Sequence, residues 1–152
     1  MDVRRWMFAA GPVVAAAGLG GLGARRAPQT YRRLRKPSWA PPAGAFGPVW
    51  SALYVATGAA GWRLFASASR PTKSLHLTQL ALNATWPLAF FGIRDKRASL
   101  LIIALLDGAL TAEVWMLRRE DPVAAILLAP YLGWSGFATA LNAAVSDPAE
   151  DQ

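Results

Sequence analysis

The chain of 152 residues contains no cysteine and a single histidine. The absence of cysteine excludes disulfide scaffolds, iron–sulfur clusters and zinc sites with thiolate ligands. One histidine excludes metal sites built from several imidazoles, so we predict neither a metal site nor a resident cofactor. No serine nucleophile with a His–Asp arrangement and no phosphate-binding glycine loop is recognisable, so we assign no catalytic residue. Charge is also scarce, because charged residues form 16% of the chain against roughly 25% in soluble domains.

Apolar residues form 54% of the chain and lie in five long runs that are nearly free of charge. A helix needs about 20 residues to cross the hydrocarbon core of a bilayer. The runs therefore predict an all-α integral membrane protein, a bundle of five transmembrane helices in a single domain over 1–152. The predicted helices cover residues 6–25, 47–66, 74–93, 98–118 and 122–145. Residues 26–46 form the longest connection.

The formal net charge of +7 comes from basic residues in the short connections between the runs. We attribute this charge to membrane topology and expect no nucleic-acid partner. The distribution of these basic residues slightly favours a cytoplasmic C-terminus. The predominance of arginine over lysine indicates a bacterial source, so we expect the bacterial cell membrane. A cleaved signal peptide in the first run is the alternative for that segment, which we disfavour because the remainder is itself apolar.

Three stretches combine aromatic and polar residues. In the first, residues 36–42 read K-P-S-W-A-P-P, and their prolines predict a stiff extended loop between Trp39 and Trp50. Such a loop suits a lid over a flat hydrophobic ligand, although both tryptophans also suit anchors at the membrane interface.

Near the end of the first helix, four glycines predict close helix approach within the bundle or in a dimer. They are Gly18, Gly20, Gly21 and Gly23.

The second and third stretches lie in the third and fifth predicted helices. Gln79 and Asn83 share one helix face, which Trp86 continues. A buried amide in a membrane helix needs a partner, either across a helix interface or on a ligand that carries a carbonyl or carboxylate. Trp134 and Ala138 stand one turn apart, an arrangement that forms a slot for a flat molecule or ordinary core contacts.

Ionisable residues within the predicted spans are few. Asp107 and Glu113 lie about 120° apart around their helix and so do not form a carboxylate pair. We expect Asp107 to bind Ser, Thr or Trp donors on neighbouring helices, and Glu113 to extend toward the interface near Arg118. His76 falls near the start of the third predicted helix, where we expect it to be solvated.

Together the motifs resemble those of the TspO/translocator protein family, the tryptophan-rich sensory proteins. The matching segments are K-P-S-W-x-P-P, F-G-P-V-W-x-x-L-Y, Q-L-x-L-N-x-x-W-P-x-x-F-F-G and P-Y-L-x-W-x-x-F-A-x-x-L-N, in the family's order and spacing over residues 6–145. The resemblance implies five transmembrane helices, homodimers in the lipid membrane, and a pocket for porphyrins, other tetrapyrroles or similar flat hydrophobic molecules, with loop 26–46 as its lid. Porphyrin or haem is thus a ligand, not a cofactor. The implied pocket residues are Tyr31, Trp39, Trp50, Asn83, Trp86, Trp134 and Ala138.

The resemblance leaves the output of binding open. Sensing, transport and stress regulation fit it, a light- or oxygen-dependent porphyrin-degrading enzyme is one alternative, and a secondary transporter of tetrapyrroles is another. The lid has Gly44 where many members carry Trp, and the segment after Asn142 lacks the Tyr–Arg/Lys pattern of cholesterol-binding members. We expect porphyrin propionates to contact three arginines of the lid through charge-assisted hydrogen bonds. These are Arg32, Arg33 and Arg35.

Overall fold

The computed structural model describes residues 2–146, and this part of the chain is helical. The helices are α1 (Val3–Gly23), α2 (Ala27–Arg33), α3 (Phe46–Ser67), α4 (Arg70–Pro87), α5 (Lys96–Glu120) and α6 (Pro122–Ala144). Short 3-10 turns at Ala24–Arg26 and Ala43–Ala45 and a π-helical segment at Leu88–Ile93 complete the helical structure. Within residues 2–146, the one β-type pairing is an isolated bridge between Arg35 and Ser146. The predicted all-α fold with five long helices is confirmed.

The five long helices pack as a closed ring in the order α1, α3, α6, α5, α4. Each contacts two neighbours, and α4 returns to contact α1. Leucines such as Leu64, Leu110 and Leu128 are fully buried where α3, α5 and α6 meet. Large apolar side chains that face outward, such as Val55 and Ile126, remain exposed, as expected for a surface that lipid covers.

Within residues 2–146, three segments are long and apolar enough to cross a membrane by length and composition alone. They are Val3–Arg33, Lys96–Glu120 and Pro122–Ala144. Helix α4 is much less apolar because it contains Thr72, His76, Gln79 and Asn83, yet all four side chains are buried inside the bundle. Average hydropathy counts these residues although they do not face lipid, so this average underestimates how apolar the outer surface of α4 is.

Asp121 joins several elements at the start of α6. It accepts a hydrogen bond from the Ala124 N–H at 3.1 Å, so Asp121 is the cap and Pro122 the first residue of α6. Both carboxylate oxygens of Asp121 also accept from Arg63 Nε, at 3.0 and 3.1 Å, and one accepts from Ser67. Burial acts to raise the pKa of Asp121, but these hydrogen bonds outweigh it and lower the pKa below its usual value.

Pro87 changes the helix type rather than ending the helix. Because proline has no N–H, the regular α-helical hydrogen bonding is interrupted, and the chain continues in π-helical form to Ile93. Arg94 then adopts a left-handed backbone, with φ 60°. The π-helical segment lies directly against α1, where a Cβ on Gly23 would stand 2.7 Å from the Leu88 nitrogen. The prediction of close helix approach is confirmed at Gly23.

His76 and Glu113 correct two predictions. Neither side chain reaches the interface, because both are fully buried and His76 Nδ1 lies 2.7 Å from Glu113 Oε1. Helix α4 begins at Arg70, four residues earlier than predicted, with Ser69 as its cap. His76 therefore lies almost two turns inside the bundle, where its Nδ1 pairs with Glu113 Oε1 while His76 Nε2 and Glu113 Oε2 have no hydrogen-bond partner among residues 2–146. The prediction for Asp107 is confirmed, since the Thr139 hydroxyl donates to its Oδ2 at 2.6 Å.

The predicted loop over residues 26–46 is largely structured. Helix α2 occupies its first third, and a 3-10 turn at Ala43–Ala45 precedes α3. Pro28 lies in the first turn of α2, a position that tolerates proline because no intrahelical donor is lost there. Only residues 34–42 are extended or irregular, and this is the part that contains most of the prolines. The acidic residues 147–152, which bear on the predicted orientation of the C-terminus, lie outside the described part of the chain.

Candidate functional site

A cavity of about 410 Å³ lies between α1, α2, α3 and α4, at the end of the bundle where α1 finishes and α3 begins. Its walls are almost entirely apolar. Sixteen residues line it: Ala17, Gly20, Gly21, Ala24, Ala27, Pro28, Tyr31, Ala43, Phe46, Gly47, Trp50, Tyr54, Asn83, Trp86, Pro87 and Phe91. The side of the cavity formed by α1 carries no bulky side chain, whereas α3 and α4 supply large rings.

Aromatic rings on two helices form the wide walls of the cavity. Trp50 projects from α3 and packs beside Tyr54, with ring centroids 5.8 Å apart. Trp86 projects from α4 and stacks on Phe90 at 5.3 Å with an interplanar angle of 20°. Flat rings held in this way offer π faces and apolar area to a ligand at little entropic cost, because their own rotamers are already restricted.

One amide supplies the main polar group of the cavity. Asn83 is buried, and its Oδ1 accepts a hydrogen bond from the Tyr54 hydroxyl at 2.8 Å. This bond uses the carbonyl end of the amide. The NH₂ end is therefore the donor that a ligand carbonyl, carboxylate or ring nitrogen can engage.

The extended segment 34–42 lies beside the cavity, but none of its residues lines the cavity. The Tyr31 hydroxyl donates to the Pro41 carbonyl at 2.7 Å, and the Tyr31 ring meets Phe46 edge-on at 5.3 Å. Lys36 Nζ donates to the carbonyls of Tyr31 and Leu34. These contacts join α2 to the proline-rich segment and to the start of α3. The predicted lid therefore reaches the cavity through α2 and the 3-10 turn at Ala43–Ala45, and not through its extended part.

Four of the seven predicted pocket residues line the cavity: Tyr31, Trp50, Asn83 and Trp86. The other three do not. Trp134 contacts Phe46 edge-on at 5.9 Å, Trp39 meets Phe137 at 5.7 Å, and Ala138 is buried in the core beside them. Phe46 thus separates the cavity from an aromatic cluster formed by Trp39, Trp134 and Phe137.

The three predicted propionate contacts are exposed arginines at or just after the end of α2. Arg32 Nε donates to the Pro28 carbonyl within its own helix at 3.1 Å. Arg33 follows it, and the backbone of Arg35 pairs with Ser146. Since Tyr31 lines the cavity, these side chains stand beside one end of the cavity rather than inside it.

Twelve of the sixteen cavity residues were absent from the sequence-based set, among them Phe46, Tyr54, Gly20 and Gly21. Phe46 and Tyr54 belong to the motif at the start of α3, so the motif itself contained the signal. The glycines were assigned to helix contacts alone. A Cβ at Gly21 would meet no atom within 4 Å, so this glycine borders open space and leaves volume to the cavity.

The closed ring of helices around an apolar, aromatic-walled cavity defines an α-helical membrane protein with an internal small-molecule-sized pocket. The family model for the TspO/MBR family matches residues 8–146, and the chain belongs to this family. The chain is similar to the translocator protein of Homo sapiens, with 40% identity over 118 residues, or 74% of this chain and 70% of that protein. It is 39% identical over 119 residues to the tryptophan-rich protein TspO of Archaeoglobus fulgidus, covering 76% of each chain. The tryptophan-rich sensory protein of Cereibacter sphaeroides is 32% identical over 113 residues, or 74% of this chain and 72% of that protein.

Proposed function

We propose that this protein binds flat, mainly apolar molecules, above all porphyrins and other tetrapyrroles, in the cavity between α1 and α4, and that binding serves sensing, transport or stress regulation. The observation that supports the proposal is the cavity itself, in which Trp50 and Trp86 provide ring faces and Asn83 provides one directed donor. Small-molecule sites have this composition, with predominantly apolar walls and few well-placed polar groups.

Cavity size and surrounding charge support a specific pose. The volume of about 410 Å³ lies within the range of about 300–1,000 Å³ that is typical of ligand sites. A two- or three-ring drug-like molecule fits inside. A tetrapyrrole is larger, so it extends past α2, where its propionates meet the exposed arginines. Charge-assisted hydrogen bonds to guanidinium groups are the strongest contacts available to a carboxylate there.

The proposal includes five transmembrane crossings, a cytoplasmic C-terminus and assembly as a homodimer. Helix α3 has 22 residues, which at 1.5 Å per residue is long enough for a hydrocarbon core of about 30 Å. Helix α4 reaches that length together with its π-helical continuation. Both helices pack side by side with the three more apolar segments, which supports a common span. Cysteine accessibility at the connections tests the topology, and cross-linking in liposomes tests the dimer.

A titration with protoporphyrin in lipid nanodiscs tests the binding function. Porphyrins accept excitation energy from tryptophan, so binding should quench the protein's fluorescence to a saturable end point. Trp50→Phe and Trp86→Phe should reduce the quenched fraction more than Trp115→Phe, because Trp115 projects outward from α5 and is exposed. Quenching that never saturates, or that all three variants reduce equally, contradicts binding in this cavity.

A porphyrin-degrading enzyme is the second candidate. The position of two oxidisable indole rings, Trp50 and Trp86, in the cavity wall favours it. Illumination of the complex should then change the porphyrin absorption spectrum over successive turnovers, and Trp50→Phe should abolish the change. A spectrum that stays constant under illumination contradicts degradation and leaves binding as the function.

A further inference from the structure

A second apolar depression lies on the outer surface of the bundle between α1 and α3. This groove has a volume of about 770 Å³, and its lining includes Trp6, Val14, Val55, Gly58 and Trp62. Val14 and Val55 are 68% and 75% exposed, so the groove opens outward. On a membrane protein, an outward-facing apolar groove of this kind is in contact with the acyl chains of lipids.

The groove and the cavity lie end to end along the same pair of helices. On α3, the groove extends from Tyr54 toward Trp62, and the cavity extends from Tyr54 toward Phe46. On α1, the two regions meet at Ala17 in the same way. Ala17 and Tyr54 are the two residues that line both the groove and the cavity. Because Ala17 contributes only a methyl group, the Tyr54 ring is the principal barrier between them.

A hydrogen bond and apolar packing against α1 and α4 hold this ring in place. The Tyr54 hydroxyl donates to Asn83 Oδ1 at 2.8 Å, and the ring also packs beside Trp50. Rotation of the Tyr54 side chain would break this hydrogen bond and part of the ring packing. Side-chain rotation of this kind is fast compared with helix movement, so the ring can act as a gate.

The far end of the groove has a polar border. Arg63 lines that end, and the Arg5 guanidinium stands 4.2 Å from the Trp62 ring centre. Both side chains are already engaged there, Arg63 with Asp121 and Arg5 with the Trp62 carbonyl, so they form a polar border where the apolar groove ends.

From this geometry we propose that flat hydrophobic ligands reach the cavity sideways from the bilayer, through the groove between α1 and α3, with Tyr54 as the gate. The occupant of the groove is the ligand in transit. The proposal rests on the proposed binding function, and it adds the route and the residue that controls it.

Stopped-flow binding of protoporphyrin in nanodiscs tests the route. Ala59→Trp places a bulky ring in the groove at an exposed position that does not line the cavity. Ala104→Trp makes the same change at an exposed position on α5 and serves as the matched control. Because ligand arrives and leaves by one path, Ala59→Trp should slow association and dissociation alike, each by about tenfold, with Kd within about twofold of the control.

Tyr54→Phe should accelerate association and dissociation, whereas Ala59→Trp should slow both. Without its hydroxyl the ring loses the bond to Asn83, so both rates should rise while the ring volume stays the same. If Ala59→Trp and Ala104→Trp give equal rates, the ligand uses another path, such as the side of residues 34–42, and the lateral route is wrong although binding stands. If the unaltered protein shows no saturable binding, the proposed function itself is wrong.

Discussion

Replacement of Asn83 by leucine removes the amide donor of the cavity and keeps the number and branching of the side-chain heavy atoms. The substitution also leaves the Tyr54 hydroxyl without its acceptor, which adds an unrelated desolvation cost. We therefore compare Asn83→Leu/Tyr54→Phe with Tyr54→Phe alone. The difference between these two variants isolates the contribution of the Asn83 amide to ligand binding.

The expected magnitude follows from the value of one hydrogen bond in a membrane protein, about 1–2 kcal/mol. At about 1.4 kcal/mol per factor of ten, the Kd of an acceptor-bearing ligand should rise by roughly 5- to 30-fold. A suitable ligand is a naphthalene carboxamide, whose amide carbonyl is its acceptor. Its analogue with a trans-alkene in place of the amide bond keeps the shape but has no acceptor for Asn83, and its Kd should change by less than about twofold.

Calorimetric titration of both ligands in nanodiscs provides the measurement, and circular dichroism of each variant is the folding control. Selective weakening of the carboxamide supports a donor role for Asn83. Equal weakening of both ligands would assign Asn83 to the shape of the cavity, and unchanged affinity for both would refute the reasoning about a polar contact at this position.

Four further predictions concern stability and charge. Gly23→Ala should lower the free energy of unfolding by about 1–3 kcal/mol, because its Cβ would collide with the backbone of the π-helical segment. Gly18→Ala meets open space and should leave this free energy unchanged. Thermal unfolding in detergent measures both variants, and equal midpoints would contradict the close contact. In the same assay, His76→Leu should lower the free energy of unfolding by about 3 kcal/mol, because Glu113 stays buried without its partner. The double variant His76→Leu/Glu113→Leu should recover much of that loss. A double variant no more stable than the single one would contradict the pairing. Because the pKa of Asp121 is lowered in the folded state, the stability that Asp121 contributes is complete above its unfolded pKa and is lost as the pH falls through its folded pKa. The thermal midpoint should therefore fall more steeply on acidification in the wild type than in Asp121→Asn. Parallel curves for the two proteins would contradict the lowered pKa. Neutralising three lid arginines together should weaken binding of protoporphyrin but not of its dimethyl ester, and equal losses would assign these residues to folding; they are Arg32, Arg33 and Arg35.

The long helices and their approximate limits were predictable because each of them appears in the sequence as a long apolar run with few charged residues. The start of α4 was placed too late, since Lys73 and Arg70 interrupt the run although both belong to the helix. Hydropathy registers charge, whereas a helix begins where a cap such as Ser69 satisfies its first N–H groups. The wrong placement of His76 at the interface followed directly from that error.

The residues that line the cavity were predictable only in part. Motifs identified Trp50, Asn83 and Trp86, and the structure brings them together. Which side chain faces which across two helices depends on helix rotation and crossing angle, and these are set by contacts distant in sequence. The bond between Tyr54 and Asn83, and the separation of Trp134 from the cavity by Phe46, are of this kind.

The central claim is that the cavity between α1 and α4 holds the ligand, and a cavity-filling substitution tests it most directly. Gly21 borders the open space of the cavity, so Gly21→Phe should fill it from the α1 side without a backbone collision. Gly18 lies one turn earlier on the same helix, also meets open space and does not line the cavity, so Gly18→Phe is the matched control. Equilibrium titration with protoporphyrin in nanodiscs should show saturable binding for Gly18→Phe and a loss of at least about tenfold in affinity for Gly21→Phe, the scale expected when an overfilled site costs 1–3 kcal/mol. Equal affinity of the two variants would contradict the account.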